Sequence, residues 1–159
     1  MSPRRESFDL NAAIHEVIAL AQSEVAKNGV WIQTRLGEGL SAVQADRVQL
    51  QQVVLNLVLN AIEAMSSVDE YPRELLISTE HSQTDGSIVT VRDSGPGIDP
   101  EQLDRVFDAF YTTKSSGVGM GLSICRSIIA AHGGRLWAEA NKPKGAVFWF
   151  TLPADNSNL

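Results

Sequence analysis

Three stretches of the chain carry residue types whose spacing could do chemistry. The first is a polar stripe, Gln49, Gln52, Asn56, Asn60 and Glu63, inside an otherwise apolar run. On a helix these side chains fall within roughly 80° of one another, at about 100° per residue. A solvated helix face is the ordinary meaning of such a stripe. Two features weigh against it here. Asparagine is a poor helix former, yet Asn56 and Asn60 stand one turn apart, and the stripe lacks Lys and Arg. Amide oxygens beside a carboxylate suit a hard, hydrated cation such as Mg²⁺.

The second stretch, Asp93-Ser-Gly-Pro-Gly97, closes a β-forming run. Alone it is an ordinary strand-ending turn. A carboxylate at that place can also accept a hydrogen bond from an exocyclic amine, and Gly95 and Gly97 let a flat ring approach the backbone. The third stretch is Gly117-Val-Gly-Met-Gly121-Leu, directly ahead of a helical pattern. Glycines at a helix N-terminus favour an anion through open N–H groups and the helix dipole. This is no Walker loop, and Leu122 stands where the dinucleotide fingerprint needs its last glycine. Lys114, after Thr112 and Thr113, is close enough in sequence to reach an anion held there. In this order the stretches describe a cation site, a base site and a phosphate site, hence a nucleotide pocket.

The elements that must position these residues follow from periodicity. Leu10, Ile14, Val17, Ile18, Ala21 and Val25 have helical spacing, and Asn28-Gly29 is a helix stop. Val30 to Leu36 alternates as a strand, with Leu40 to Ala45 as its return strand after a glycine turn. Asp46, with Gln49 three residues on, resembles a capping box, and opens the strongest helix, with Leu50, Val54, Leu57, Val58, Ala61 and Met65 inward. Glu74 to Glu80 and Ser87 to Asp93 form a hairpin around Thr84-Asp85-Gly86. A short helical piece spans Pro100 to Phe107, and Tyr111 to Gly119 reads as a mobile loop. Gly121 to Ala131 is a helix stopped by Gly133-Gly134, and strands Arg135 to Ala140 and Ala146 to Leu152 close the chain. About three long helices and six or seven strands without βαβ alternation predict an α+β fold, one mixed and mostly antiparallel sheet with the helices on one face.

Composition bounds what such a domain does. A length of 159 residues fits one domain, and 43% apolar with 20% charged residues fits a folded core. A net charge of -6 excludes a nucleic-acid backbone as main partner. The single Cys125 excludes an intrachain disulfide and a multi-cysteine zinc site, and points to a reducing cytoplasmic setting. No apolar run is long enough to span a bilayer, and no apolar run follows Arg4 and Arg5 as a secretory signal would require.

These motifs resemble, in order and spacing, those of a known family. Asn56-Leu-Val-Leu-Asn60-Ala-Ile-Glu63 resembles the N box of sensor histidine kinases, and Asp93-Ser-Gly-Pro-Gly97-Ile98 their first glycine box. Phe107-Asp-Ala-Phe-Tyr-Thr-Thr-Lys114 is similar to their F box, and Gly117-Val-Gly-Met-Gly121-Leu-Ser to their second glycine box. Phe148-Trp-Phe-Thr-Leu-Pro153 resembles the closing strand. The likeness covers roughly residues 8 to 153 and is nearest the oxygen-sensing and nitrogen-regulatory branch. It implies the Bergerat ATP-binding fold, a two-layer α/β sandwich shared with gyrase and MutL, with ATP and Mg²⁺ as cofactors.

Residue by residue, the resemblance implies that Asn60 holds Mg²⁺ and that Asn56 lies close to the phosphates or the waters of the metal, with Glu63 beside them. Asp93 bonds the adenine amino group, and Gly95, Gly97 and Ile98 shape the base pocket. Tyr111, Thr112 and Thr113 belong to a lid with Lys114 on the terminal phosphates. Gly117, Val118, Gly119, Met120, Gly121 and Leu122 cap the phosphates. The catalytic role falls to Asn56 and Lys114. An ATP-hydrolysing relative carries Glu where this chain has Asn56, so hydrolysis is expected to be poor. Gly145-Ala146 replaces the usual Gly-Thr or Gly-Ser, which removes a hydroxyl from the adenine site, and Ala109 replaces a common proline.

The expected organisation is an extension over 1–7, the catalytic domain over 8–153 and a disordered tail over 154–159. The phosphoacceptor histidine is expected on a separate dimerisation domain, ahead of the catalytic fragment, with a response regulator receiver domain downstream. His15 lacks the Pro of an acceptor motif, and His81 and His132 lack the motif altogether; His132 is expected at a helix C-terminus, where a cationic ring is favoured. The isolated domain is expected to be monomeric. The rival readings are an anti-sigma Ser/Thr kinase or hydrolysing ATPase of the same fold, and a degenerate module that only docks.

Overall fold

The computed structural model describes residues 4–40, 42–103, 105–108 and 119–153, with the backbone alone at 119 and 120. The expected lid, the anchor of the F box at Ala109 and the tail over 154–159 lie outside the described residues.

The chain opens with strand β1 (Glu6–Phe8), helix α1 (Leu10–Leu20) and helix α2 (Gln22–Lys27), then strands β2 (Val30–Leu36) and β3 (Val43–Ala45). Helix α3 (Arg47–Ser66), strands β4 (Arg73–Ser82) and β5 (Gly86–Asp93), helix α4 (Gly119–Ala131) and strands β6 (Leu136–Ala140) and β7 (Ala146–Leu152) follow. The main sheet runs β2-β4-β5-β7-β6, parallel between β2 and β4 and antiparallel elsewhere.

Strand alternation gives this sheet two unlike faces. Leu75, Ile77, Val89, Val91, Phe148 and Phe150 are almost wholly buried on one face, where α3 packs on β4 and β5, and α4 on β6 and β7. The opposite face carries the stacked indoles of Trp137 and Trp149, their ring centres 5.9 Å apart. Helix α3 is the spine of the helical layer, packed between α1 and α4. Its inward residues Leu50, Val53, Val54, Leu57, Val58, Ala61 and Met65 are all buried. Each large side chain among them contributes about 1.5–3 kcal/mol, which outweighs the poor helix propensity of Asn56 and Asn60 at roughly 0.7 kcal/mol each.

Three expectations need correction. The segment Leu40 to Ala45 is not the return strand of β2. Its Val43–Ala45 pairs antiparallel with Glu6–Phe8 in a separate two-stranded sheet, while β2 pairs with β4, so the strands do not make one sheet. The stretch read as an extension thereby contributes Glu6 and Ser7 to β1. The helical pattern from Leu10 to Lys27 breaks at Ala21, whose ψ of -2° ends α1 and begins α2. The pattern conceals the break because Val17, Ala21 and Val25 stay buried across it. Of the helical piece expected from Pro100 to Phe107, the described residues form a single 3-10 turn, Pro100–Gln102. Among the described residues no helix is long and apolar enough to cross a membrane.

Candidate functional site

Helix α3 begins where Asp46 caps it: the Asp46 side chain accepts from the Gln49 N–H at 3.0 Å. The return half of a capping box, from the Gln49 side chain, is replaced by a residue far along the chain. The N–H of Asp46 donates to Nε2 of His132 at 3.0 Å, and Nδ1 of His132 lies 2.9 Å from the Ile128 carbonyl. With Nε2 accepting, Nδ1 is the ring nitrogen placed to donate to the Ile128 carbonyl. The Asp46 carboxyl itself titrates below its usual range, because the backbone N–H groups of Arg4 and Gln49 stabilise the charged form.

The polar stripe on the capped helix turns inward at Asn56 and Asn60, while Gln52 stays exposed. Asn60 is 8% exposed. Asn56 is half-buried, and its Nδ2 donates to Sγ of Cys125 on α4 at 3.6 Å. Burial pushes the Cys125 thiol up to about 11, so it is an inert neutral partner for the amide. A Cβ on Gly121 would stand 3.5 Å from the same Nδ2. Asn56, Leu59, Gly121 and Leu122 line one cleft, at the N-terminal end of α4. The approach at Gly121 is an ordinary contact, and the dipole of the 13-residue helix points its positive end at this cleft.

Asp93 ends β5, paired with Leu75 across the sheet, and is 3% exposed. Its Oδ1 accepts from the N–H of Gly95 at 2.8 Å and of Ala146 at 3.3 Å. A buried carboxylate is tolerated when main-chain donors replace water. Ala146 lacks a hydroxyl, yet its backbone contributes to the carboxylate directly. Gly95 packs against Met65, so this turn rests on the C-terminal part of α3. Gly97 has φ +85° and Gly145 φ +101°. A Cβ on Gly97 would come to 2.9 Å of the Gly145 carbonyl oxygen, and one on Gly145 would overlap the Asp93 carbonyl. These glycines are required where two turns meet backbone to backbone.

Asn56, Asn60, Asp93, Gly95 and the start of α4 are therefore strung along one helix. Asn56 and Met65 are about 13 Å apart along α3 at about 1.5 Å per residue. Glu63 lies on the same helix, and Gly97 and Ile98 in the turn after β5. Tyr111, Thr112, Thr113, Lys114, Gly117 and Val118 are outside the described residues; Gly119 and Met120 begin α4. Among the described residues no cluster of His, Cys, Asp or Glu could hold a metal. Sequence reasoning missed Asn141 and the Asn56–Cys125 contact. Asn141 shows only as a turn residue, and Cys125 only as an inward helix position.

The buried carboxylate after a central strand, beside a glycine-rich helix start and an asparagine-bearing helix, is the arrangement of a recognised class. Residues 45–156 match the family described as histidine kinase-, DNA gyrase B- and HSP90-like ATPases, and the chain belongs to that family, as a catalytic domain of the sensor histidine kinase type. It is 44% identical over 149 residues to the sensor protein FixL of Bradyrhizobium diazoefficiens, covering 94% of this chain and 29% of that protein. It is 40% identical over 152 residues to the sensor histidine kinase TmoS of Ectopseudomonas mendocina, covering 95% and 16%. The chain thus spans less than a third of the length of these relatives. The solved catalytic domain of the histidine kinase ThkA superposes with a TM-score of 0.83 at 39% identity, covering 94% of this chain and 95% of that one.

Proposed function

We propose that this domain binds Mg·ATP and transfers its γ-phosphoryl group to a histidine on a separate dimerisation domain, for relay to a response regulator. The observation that carries this reading is the buried Asp93 carboxylate, anchored by two main-chain donors beside a turn that packs on Met65 of α3, the helix whose Asn56 lines the cleft with Gly121. A solved structure of ThkA in complex with the response regulator TrrA, similar to this chain at 37% identity, supports the relay.

In this reading Asp93 accepts the amine of adenine, and Gly95, Gly97 and Ile98 shape the floor beneath the ring. Asn60 offers its amide oxygen to the metal, with Asn56 and Glu63 close by. The N–H groups at the start of α4 face the phosphates, and by the family's motifs Gly117 and Val118 join them, with Lys114 serving the terminal phosphate and Tyr111, Thr112 and Thr113 the lid. Mg²⁺, when bound, supplies charge neutralisation on the phosphates. The work of the chain is positioning and electrostatic stabilisation, which is most of what phosphoryl transfer needs. Asn56 has no carboxylate to activate water, so hydrolysis is slow and transfer to a protein acceptor is favoured.

The test is γ-labelled ATP with this chain alone, then with a cognate dimerisation domain added. The chain alone binds ATP and acquires no label. The added domain acquires acid-labile, base-stable label on its histidine, weakly, because the effective concentration given by a native linker is lost. Robust self-labelling abolished by His15→Gln would overturn the reading.

A further inference from the structure

The turn between β6 and β7 grips the residue that reads the base. Asn141 donates from Nδ2 to the main-chain carbonyl of Asp93 at 2.9 Å and accepts at Oδ1 from Nη1 of Arg92 at 3.0 Å. Its own N–H donates to the Gly145 carbonyl at 2.9 Å. One amide therefore bridges two consecutive residues of β5 from a turn 48 positions further on. The same turn presents Gly145 against the Asp93 carbonyl and the Ala146 N–H to the Asp93 carboxylate. The main chain of Asp93 is thus fixed from one side by a side-chain donor and its carboxylate by a backbone donor of the same turn. A carboxylate that leaves the end of a strand points where its own backbone torsions send it.

We propose that Asn141 is a positioning residue for adenine recognition, acting through Asp93 by holding its carbonyl and hence the direction of its carboxylate. The inference rests on the reading of Asp93 as the acceptor of the base amine. It predicts an effect on the base and not on the phosphates, since Asn141 bonds Arg92 and Asp93. A residue that merely stabilises the fold would weaken every nucleotide alike.

The experiment is calorimetric titration of the whole chain with Mg·ATP and, by competition, Mg·GTP, for wild type, Asn141→Ala and Asn141→Asp, with thermal unfolding alongside. Asn141→Asp keeps an acceptor for Arg92 but has no N–H for the Asp93 carbonyl. Loss of one buried hydrogen bond predicts roughly tenfold weaker ATP binding in both variants, with GTP changed less than about twofold. The ratio of the two affinities narrows accordingly. Parallel losses for both nucleotides, or unchanged ATP binding, overturn the inference. So does unfolding of both variants, which would make Asn141 a residue of the fold alone. A wild-type chain that binds ATP and GTP equally well instead overturns the reading of Asp93 itself.

Discussion

Under the proposed function Asp93 marks the base end of the site and the cleft between α3 and α4 its phosphate end. Asp93 is held by the main-chain donors of Gly95 and Ala146, whereas Asn56 meets α4 through a soft contact to the Cys125 thiol. The base end is held by internal contacts: its main-chain donors, its glycine contacts and the Asn141 bridge. The phosphate end is a cleft between two helices, lined by Asn56, Leu59, Gly121 and Leu122. Selectivity calls for a rigid acceptor, since a misdirected carboxylate would accept other donors. Holding triphosphate and metal calls for open donors that the ligand completes.

The contrast can be broken at either end. The largest expected effect concerns Cys125. With its pKa near 11, against 9.0 for an ordinary thiol, its thiolate fraction at pH 8 is about a hundredfold lower. Thiol-reactive dyes should label it at least that much more slowly than a free cysteine, as followed by absorbance. Labelling at the free rate would mean that the helices separate readily and that the phosphate end is looser than its contacts suggest.

Asp93→Asn comes next. It replaces a charge-assisted acceptor by an amide, at about 1.5–3 kcal/mol, or roughly ten- to hundredfold in Kd for ATP. Calorimetry should show the loss for ATP with little change for GTP. Asn60→Ala probes the other end. It should remove the Mg²⁺ enhancement of ATP binding, roughly tenfold, and leave metal-free binding alone. Unchanged Mg²⁺ dependence would return the polar stripe to a packing role.

The smallest effect is on stability. Asp46→Ala removes the cap of α3 and should cost about 1 kcal/mol in urea titrations at neutral pH. The Asp46 carboxyl has its pKa lowered in the fold, so its electrostatic contribution is fully present above the ordinary value of 3.8. It is lost as pH falls through the lowered value. The gap between wild type and Asp46→Ala should therefore shrink below about pH 4, while a gap independent of pH would assign the cap no electrostatic part.

What the sequence made legible was local. Asp46, the inward positions from Leu50 to Met65 and the hairpin turn before Gly86 each declare themselves within a few residues, and the structure has them as read. The order of motifs sufficed to name the family. Pairings across long separations were not legible. Val43–Ala45 is too short for its alternation to choose between β2 and the Glu6–Phe8 segment. The break at Ala21 hides inside a continuous apolar period. Asn141 looks like any turn asparagine until the sheet brings it to Asp93, and His132 like any helix end until α4 lies across the start of α3.

That last contact has a mechanical consequence. His132 ties the C-terminal end of α4 to the first residue before α3, and Cys125 ties the middle of the helix to Asn56. With 13 residues the helix is about 19 Å long at about 1.5 Å per residue. A tilt of about 5° about the His132 contact would displace the Gly119 end by about 1.7 Å, over half a hydrogen-bond length, and leave the imidazole bond in place, so the softer Cys125 contact is what sets the position of that end.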